Sequence, residues 1–495
     1  MIFRKFSFKN YFTVSLICLL LLSLFLRFYN YQNRWGLALD QAHDGLIARY
    51  ALGALKIPLV GPFSSAGPMQ TGGEWYWFIM LGTVFNKSEV MSPWIFLTLT
   101  YVLFVLLITL LGKELISKNF GILLGILSLV STAQIAQSAN LTNQSPLALF
   151  SLFAIWSMVK YVKTKKLIYL FFLGFNVSLA AMFHFQGAAL MVLVLTTIIL
   201  SRVNLKGFII ILCGLFVPVI PLLLFDLKND FVNIRNIIQY ELHDQYKISL
   251  DVLGRRWKTY AGIFWPNAWS HVIGGYSFNG YVLLAGLGIV TLYSFLKKNL
   301  SKEWQIIILS FLGMVVVLRY IRTPLYDSYI VFLHPFIFLL TGWFIYTILK
   351  KNRFIGLVIF TIIVVFSLIK DSKELNYNKA NESALEVSSE VKLLSEKFPN
   401  QKFSIYSYKY QSAGKNFILA LFLDAKDLID DNGIRIGIVE STESGVLKFP
   451  VLQGDVSGLR LLDLSSSTSD ELKNSNWANV NPKQIYYATE EWYTK

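Results

Sequence analysis

The chain has 495 residues, of which 55% are hydrophobic and 15% charged, with a mean hydropathy of +0.52 and a formal net charge of +15. Soluble domains average about 45–50% apolar and about 25% charged residues, so this composition excludes a soluble globular protein. The two cysteines, Cys18 and Cys213, both fall inside long apolar runs; this rules out a disulfide framework, a zinc cluster and a CxxC pair, and leaves them as small apolar packing residues.

From Tyr11 onward, apolar runs of a length able to cross the hydrocarbon core recur, near 11–29, 92–112, 119–139, 146–161, 167–183, 187–201, 207–225, 279–296, 304–320, 329–349 and 354–370. Eleven transmembrane helices are therefore predicted. Arg4 and Lys5 stand before the first run, but no A-x-A-like cleavage site ends it, so it reads as a retained helix rather than a signal peptide. With the N-terminus cytoplasmic, the turns left inside carry Arg4/Lys5/Lys9, Lys113/Lys118, Lys160/Lys163/Lys165/Lys166, Arg202/Lys206, Lys297/Lys298/Lys302 and Lys350/Lys351/Arg353. All six are basic, as the positive-inside rule requires, provided that the aromatic stretch Trp75–Phe85 is an interfacial or re-entrant helix and does not span. Residues 371–495 hold 14 basic and 18 acidic residues, leaving 31 and 12 for the membrane part. The positive charge thus belongs to turns facing anionic headgroups, and nucleic acid is not an expected partner.

The expected architecture is a polytopic α-helical membrane core over 1–370, with outer loops at 30–92 and 226–279, and a small extracytoplasmic α/β domain over 371–495. In that last part the strand-like runs 402–408 and 434–439 alternate with helical stretches near 381–397 and 415–429. It carries no catalytic constellation; acceptor recognition and simple capping of the core are both open to it.

Ten of the twelve acids in the membrane part face outward, which points to chemistry on the outer face. In the first outer loop, Asp40-Gln-Ala-His43-Asp44 places two carboxylates four residues apart on one helical face, with His43 beside them. Asp40 suits a general base, and also suits a helix N-cap. Gly61-Pro62 and Glu74-Trp-Tyr-Trp follow. His184-Phe-Gln186 ends the fifth span, and Arg322, Tyr326, Asp327 and Tyr329 precede the tenth at the same depth. Polar groups there are costly unless paired or lining a cavity. His184 alone is as readily a packing residue, and His334 reads as structural. The second outer loop alternates Arg255, Arg256 and Lys258 with Trp257 and Tyr260, a mixture that fits lipid-phosphate binding and plain interfacial anchoring equally well. His243-Asp244 has no HExxH-like spacing around it, no protein-built metal cage is expected, and no P-loop, Rossmann or GxSxG signature occurs in its required context.

These residues resemble the membrane-embedded glycosyltransferases of GT-C type that use polyprenyl-phosphate sugars, in the branch of protein O-mannosyltransferases and the lipid A aminoarabinose transferase. The resemblance rests on the Asp40–Asp44 segment, Gly61-Pro62, Glu74-Trp-Tyr-Trp, His184-Phe-Gln-Gly, and Tyr326-Asp-Ser-Tyr329 with Pro335, and covers residues 1 to about 350. It implies an aspartate base in the first outer loop, carried here by Asp40 with Asp44 as the other candidate. Many members have an Asp-Glu pair or an Arg before the second Asp; this chain has Gln41 and His43. A Thr-Asp pair of some members is matched by Thr142-Asn143, where asparagine can orient a sugar or acceptor but not act as base. The implied reaction is inverting transfer of a sugar from a polyprenyl-phosphate donor to an acceptor hydroxyl on a lipid, glycan or protein, with Arg255, Arg256, Lys258 or Arg322 stabilising the departing phosphate and no cofactor. His43, Glu74, Asn143, His184, Gln186, Tyr326 and Tyr329 are the remaining substrate-binding candidates. The rival reading is a transporter or flippase of lipid-linked sugars, against which stands the absence of an internal repeat with broken spans in matching positions.

Overall fold

A computed structural model describes residues 10–64, 69–243, 257–320, 327–376, 382–408, 413–440, 449–456 and 459–491. In chain order, α1 (Tyr11–Phe28) leads through a 3-10 turn to α2 (Leu39–Gly53), the antiparallel pair β1 (Val60–Phe63) and β2 (Gln70–Gly72), and α3 (Glu74–Phe85). Next come α4 (Ser92–Leu115), α5 (Lys118–Leu129), α6 (Thr132–Ser138), α7 (Leu147–Thr164), α8 (Ile168–Phe183), α9 (Met191–Ser201), α10 (Leu205–Phe216), α11 (Ile220–Lys228) and α12 (Val232–His243). Then follow α13 (Trp265–Val272), α14 (Ser277–Leu296), α15 (Lys302–Arg319), α16 (His334–Lys351) and α17 (Arg353–Leu375). The C-terminal region adds α18 (Glu382–Lys397), β3 (Phe403–Tyr408), α19 (Ala413–Ala425), β4 (Ile434–Glu440), β5 (Val451–Val456), β6 (Leu459–Asp463), α20 (Ser469–Asn474), β7 (Trp477–Asn479) and α21 (Pro482–Glu491).

All eleven predicted runs are helical. Among the described residues seven helices are long and apolar enough to cross a membrane, or eight if one bent pair counts as a span. That pair corrects the single straight helix expected over 119–139. The chain bends by 61° between α5 and α6, where the Ser131 hydroxyl leaves the helical pattern and caps the new start by accepting from Gln134 N–H. Pro218 and Pro221 likewise put a 3-10 turn between α10 and α11 without breaking the run Leu205–Lys228. α3 has only 12 residues and is not one of the candidate spans, in line with an interfacial helix. Both cysteines are free and lie on exposed helix faces, so they are not the packing residues expected. His334 is buried and bonded to Gln134 (Nδ1 to Nε2, 2.7 Å), a structural tie between α16 and α6.

Without a hydrophobic drive between helices in lipid, close packing depends on small residues. Where α8 meets α10, a Cβ on Gly174 would lie 2.4 Å from Ile211 O and one on Gly214 2.1 Å from Phe171 O. The two backbones therefore touch.

The five strands of the C-terminal region form one sheet in the order β5-β6-β4-β3-β7, with β3 and β4 parallel and the other neighbours antiparallel. The parallel pair needs a crossover, which α19 supplies. α19 ends earlier than the predicted 429, at Ala425, because Asp427 adopts a left-handed backbone (φ 58°). α17 continues through Asp371, whose carboxylate accepts from Thr132 Oγ1 at 2.6 Å, so the change of composition at that residue is not a break in the helix.

Leucine at Gly214 is expected to cost about 1–3 kcal/mol through overpacking and to lower the Tm of the detergent-solubilised protein. Leucine at Gly288, where nothing lies within 4 Å of an added Cβ, should leave Tm unchanged.

Candidate functional site

The segment that delivers the chain to α2 is tied down by its backbone. Arg34 Nη1 donates to Tyr29 O (2.8 Å), Gly36 N to Ala139 O (2.9 Å), and Trp94 Nε1 to Gly36 O (2.7 Å). Helix α2 then starts at Leu39 with Ala38 as its N-cap, and Gln41 reaches back so that its Oε1 accepts from Ala38 N–H at 3.1 Å. Asp40 is therefore inside the first turn and is not the cap. Its side chain is exposed, and no described residue is hydrogen-bonded to its carboxylate. Desolvation by the surrounding protein, and then the nearby Asp44, raise its pKa above the ordinary carboxylate value, with His43 acting in the opposite sense.

Asp44, one turn on, is buried and engaged on both oxygens: Oδ2 accepts from Trp75 Nε1 at 2.7 Å and Oδ1 lies 3.1 Å from His43 Nδ1. Trp75 can reach it because the β1–β2 hairpin turns the chain back and α3 begins immediately after it, packed on α2. Gly72 leaves room for the Glu74 carboxyl, which any Cβ there would displace. The hairpin is held in turn by the start of α12. Asn233 accepts from Gln70 N–H (2.8 Å) and donates to Gln70 O (3.1 Å), while buried Asp226 caps α12 by accepting from Asn233 N–H and Ile234 N–H.

Glu74 is 4% exposed, and neither of its carboxylate oxygens has a partner among the described residues. Burial pushes its pKa up to about 7. His184, at the C-cap of α8, is 3.2 Å from Gln144 Nε2 through Nε2, accepts from Gln186 N–H through Nδ1, and has its ring 5.6 Å from that of Tyr329. Burial lowers its pKa to about 4, so it is neutral at physiological pH. Gln186 is buried, with its Oε1 unpartnered among the described residues.

The structure thus joins Asp40, His43 and Asp44 to Trp75 in one group, and His184 to Gln186 and Tyr329 in another. It adds Gln144, which lies next to Asn143 in a polar run and which no sequence motif marks. Asn143 is half-buried in the loop before α7, and it is Asn140 of that loop that touches α2, accepting from Gln41 Nε2 at 3.4 Å. Lys258 is exposed; Arg255, Arg256, Arg322 and Tyr326 lie outside the described residues. At the same loop, Arg319 stacks on Trp257, 4.9 Å from the ring centre. Among the described residues no group of three or more His, Cys, Asp or Glu is placed to hold a metal ion.

The family model for dolichyl-phosphate-mannose-protein mannosyltransferase matches residues 75–225. The fold is similar to that of ArnT from Cupriavidus metallidurans in the apo state (11% identity, TM-score 0.62, covering 92% of this chain and 98% of that one) and bound to undecaprenyl phosphate (10% identity, TM-score 0.63, the same coverage). It is also similar to the Archaeoglobus fulgidus oligosaccharyltransferase in the apo form (13% identity, TM-score 0.54), over 80% of this chain; the chain spans 59% of that protein's length. No curated protein matches the sequence.

A buried carboxyl with a raised pKa binds its proton more tightly in the folded state than in the unfolded one. Its favourable effect is therefore complete below about pH 4.5 and lost as the pH rises towards 7. Glu74→Gln should remove that dependence, making the solubilised protein more stable than wild type at pH 8, by on the order of 3 kcal/mol at most, and similar to it at pH 4.5. Thermal unfolding across this range measures both ends.

Proposed function

We propose that this chain, a multi-span membrane protein with the GT-C glycosyltransferase fold, transfers a sugar from a polyprenyl-phosphate donor to an acceptor hydroxyl, with inversion and with Asp40 as base. The observation that carries the reading is the contrast within α2: the carboxylate of Asp40 is exposed and has no described partner, whereas that of Asp44, one turn away, is occupied on both oxygens. The similarity to a protein bound to undecaprenyl phosphate supports the donor class.

In this reaction the acceptor oxygen attacks the anomeric carbon from the face opposite the phosphate. The bond from that carbon to the phosphate oxygen breaks, the acceptor proton passes to Asp40, and polyprenyl phosphate leaves with its extra negative charge. A base within hydrogen-bond reach contributes about 10²–10⁴-fold, and a raised pKa makes Asp40 the stronger base. Arg255, Arg256, Lys258 and Arg322 are the cations assigned to the leaving phosphate. His43, Glu74, Asn143, His184, Gln186, Tyr326 and Tyr329 are assigned to the sugar and acceptor. In the proposed topology all eleven helical runs cross the membrane, the N-terminus is cytoplasmic, and the site and the C-terminal α/β domain over 371–495 are extracytoplasmic.

Membranes containing the chain should move radiolabel from at least one polyprenyl-phosphate sugar to a new product, and Asp40→Asn should lower that rate by about 10²-fold or more. Lipid-linked sugar that crosses the bilayer equally well in both proteins, with no product, would place the chain among flippases instead.

The pH dependence separates the two aspartates. Activity requires the ionised base, so kcat/KM should fall as the pH drops through a carboxyl pKa above the usual range. Asp44→Asn removes a negative neighbour and should move that limb to lower pH; a limb that stays in place argues against Asp40 as the titrating base.

A further inference from the structure

Helix α19, far away in sequence, lies along α2. A Cβ on Gly414 would stand 3.7 Å from Leu39 Cβ, and the Phe417 ring is 5.7 Å from that of His43. A Cβ on Gly45 would meet Leu421 Cδ1 at 3.2 Å, and Asp424 Oδ2 accepts from Arg49 Nε at 2.5 Å. Positions 414, 417, 421 and 424 are one face of a helix, and their partners advance in the same direction along α2. The two helices are therefore parallel and side by side. The last of these contacts is an ion pair largely shielded from water, with the Arg49 side chain only 10% exposed. The Arg49 guanidinium also donates to Lys87 O at 2.7 Å, which links α19 to the loop after α3. Beyond the end of α2, Lys56 donates to Tyr487 of α21 at 2.7 Å and packs over the Tyr486 and Tyr487 rings.

We infer that α19 is a working part of the transfer site: through Phe417 on His43 and Asp424 on Arg49 it sets the position of the helix that carries Asp40, His43 and Asp44. The C-terminal region then governs turnover and does more than cover the core. This inference rests on the reading of Asp40 as base. Phe417 and Asp424 are positioning residues, since neither touches the reacting atoms. Their leverage comes from helix rigidity: a tilt imposed at Arg49 is carried along α2 to its first turn, and displacing a base by about 1 Å can cost 10²-fold in rate.

The test uses the full chain in nanodiscs, with Asp424→Asn, Phe417→Ala, and the charge swap Arg49→Asp with Asp424→Arg. Two quantities are read: kcat and KM for the polyprenyl-phosphate sugar, and hydrogen exchange of the amides over 39–53. Both single variants should lose kcat by about tenfold or more, with KM for the donor little changed and faster exchange over 39–53, and the swap should recover part of the lost kcat. Wild-type kcat in both single variants overturns the inference, as does a loss of kcat that merely follows a general fall in Tm and is not relieved by the swap. If the wild type transfers from no donor, the reading of function fails by itself. Exchange still decides the contact in that case, because unchanged protection over 39–53 in Asp424→Asn overturns the positioning role.

Discussion

A short polar helix packed into the protein has to have its buried polar groups answered by protein, and the Trp75 indole N–H on the Asp44 carboxylate is the bond on which this arrangement turns. α2 is neither long nor apolar enough to cross a membrane, yet Gln41, Ala42, Asp44 and Gly45 on it are buried. Trp75 can serve Asp44 only if the chain doubles back just before α3. The hairpin does this, and Gly72 gives Glu74 room to fold over it. Asn233 then fixes the hairpin through both the N–H and the carbonyl of Gln70. Three consecutive segments, α2, the hairpin and α3, and a fourth far away in sequence, α12, are thereby committed to the placement of one carboxylate.

Two environments are built around that placement. On α2, charged groups lie close together and influence one another. Around His184 the polar groups are uncharged at neutral pH, because burial keeps the imidazole deprotonated and bonded to Gln144 and the Gln186 amide. Glu74 stands between these extremes, with its carboxyl drawn towards neutrality by burial alone. Neutral groups of this kind can exchange hydrogen bonds with hydroxyls at lower desolvation cost than ions, which suits a wall that faces a sugar.

Much of the fold was legible because lipid imposes a blunt requirement: helical segments long and apolar enough to bury their backbone. The eleven runs are all helical, with seven or eight helices among the described residues long and apolar enough to cross, and the strand and helix alternation near 403–440 was readable from period and β-branching. The 61° bend after α5 was not, because Val130 and Ser131 carry no breaker, and the turn depends on a serine cap that any serine could supply. In the site, Asp40, His43 and Asp44 were visible as a cluster, and Glu74-Trp75 as a motif. The bond joining them was not visible, because it depends on a hairpin only a few residues long. The N-cap role open to Asp40 also failed for a local reason: Ala38 takes the extended backbone of the cap, and Gln41 satisfies its N–H. Least legible of all was the pairing of Arg49 with Asp424. Nothing in either neighbourhood marks the other, and only the parallel seating of α19 on α2 brings them together.

The division of labour proposed for the two aspartates follows from donor and acceptor accounting. A base must have a lone pair free and must be reachable. Asp44 is buried, with its oxygens committed to Trp75 and His43, so taking up a proton there would disturb the bonds that hold α2 against α3. Asp40 has no such commitments, and it is exposed. Asp44 nevertheless acts on it: its negative charge makes Asp40 hold a proton more tightly, and His43, held at Asp44, works in the other direction. The buried carboxylate thus helps to hold the helix against α3 and adds to the effect of desolvation in raising the pKa of the exposed one. Both residues are aspartates, so environment alone separates them: exchanging their environments, with the same sequence spacing, would exchange their properties.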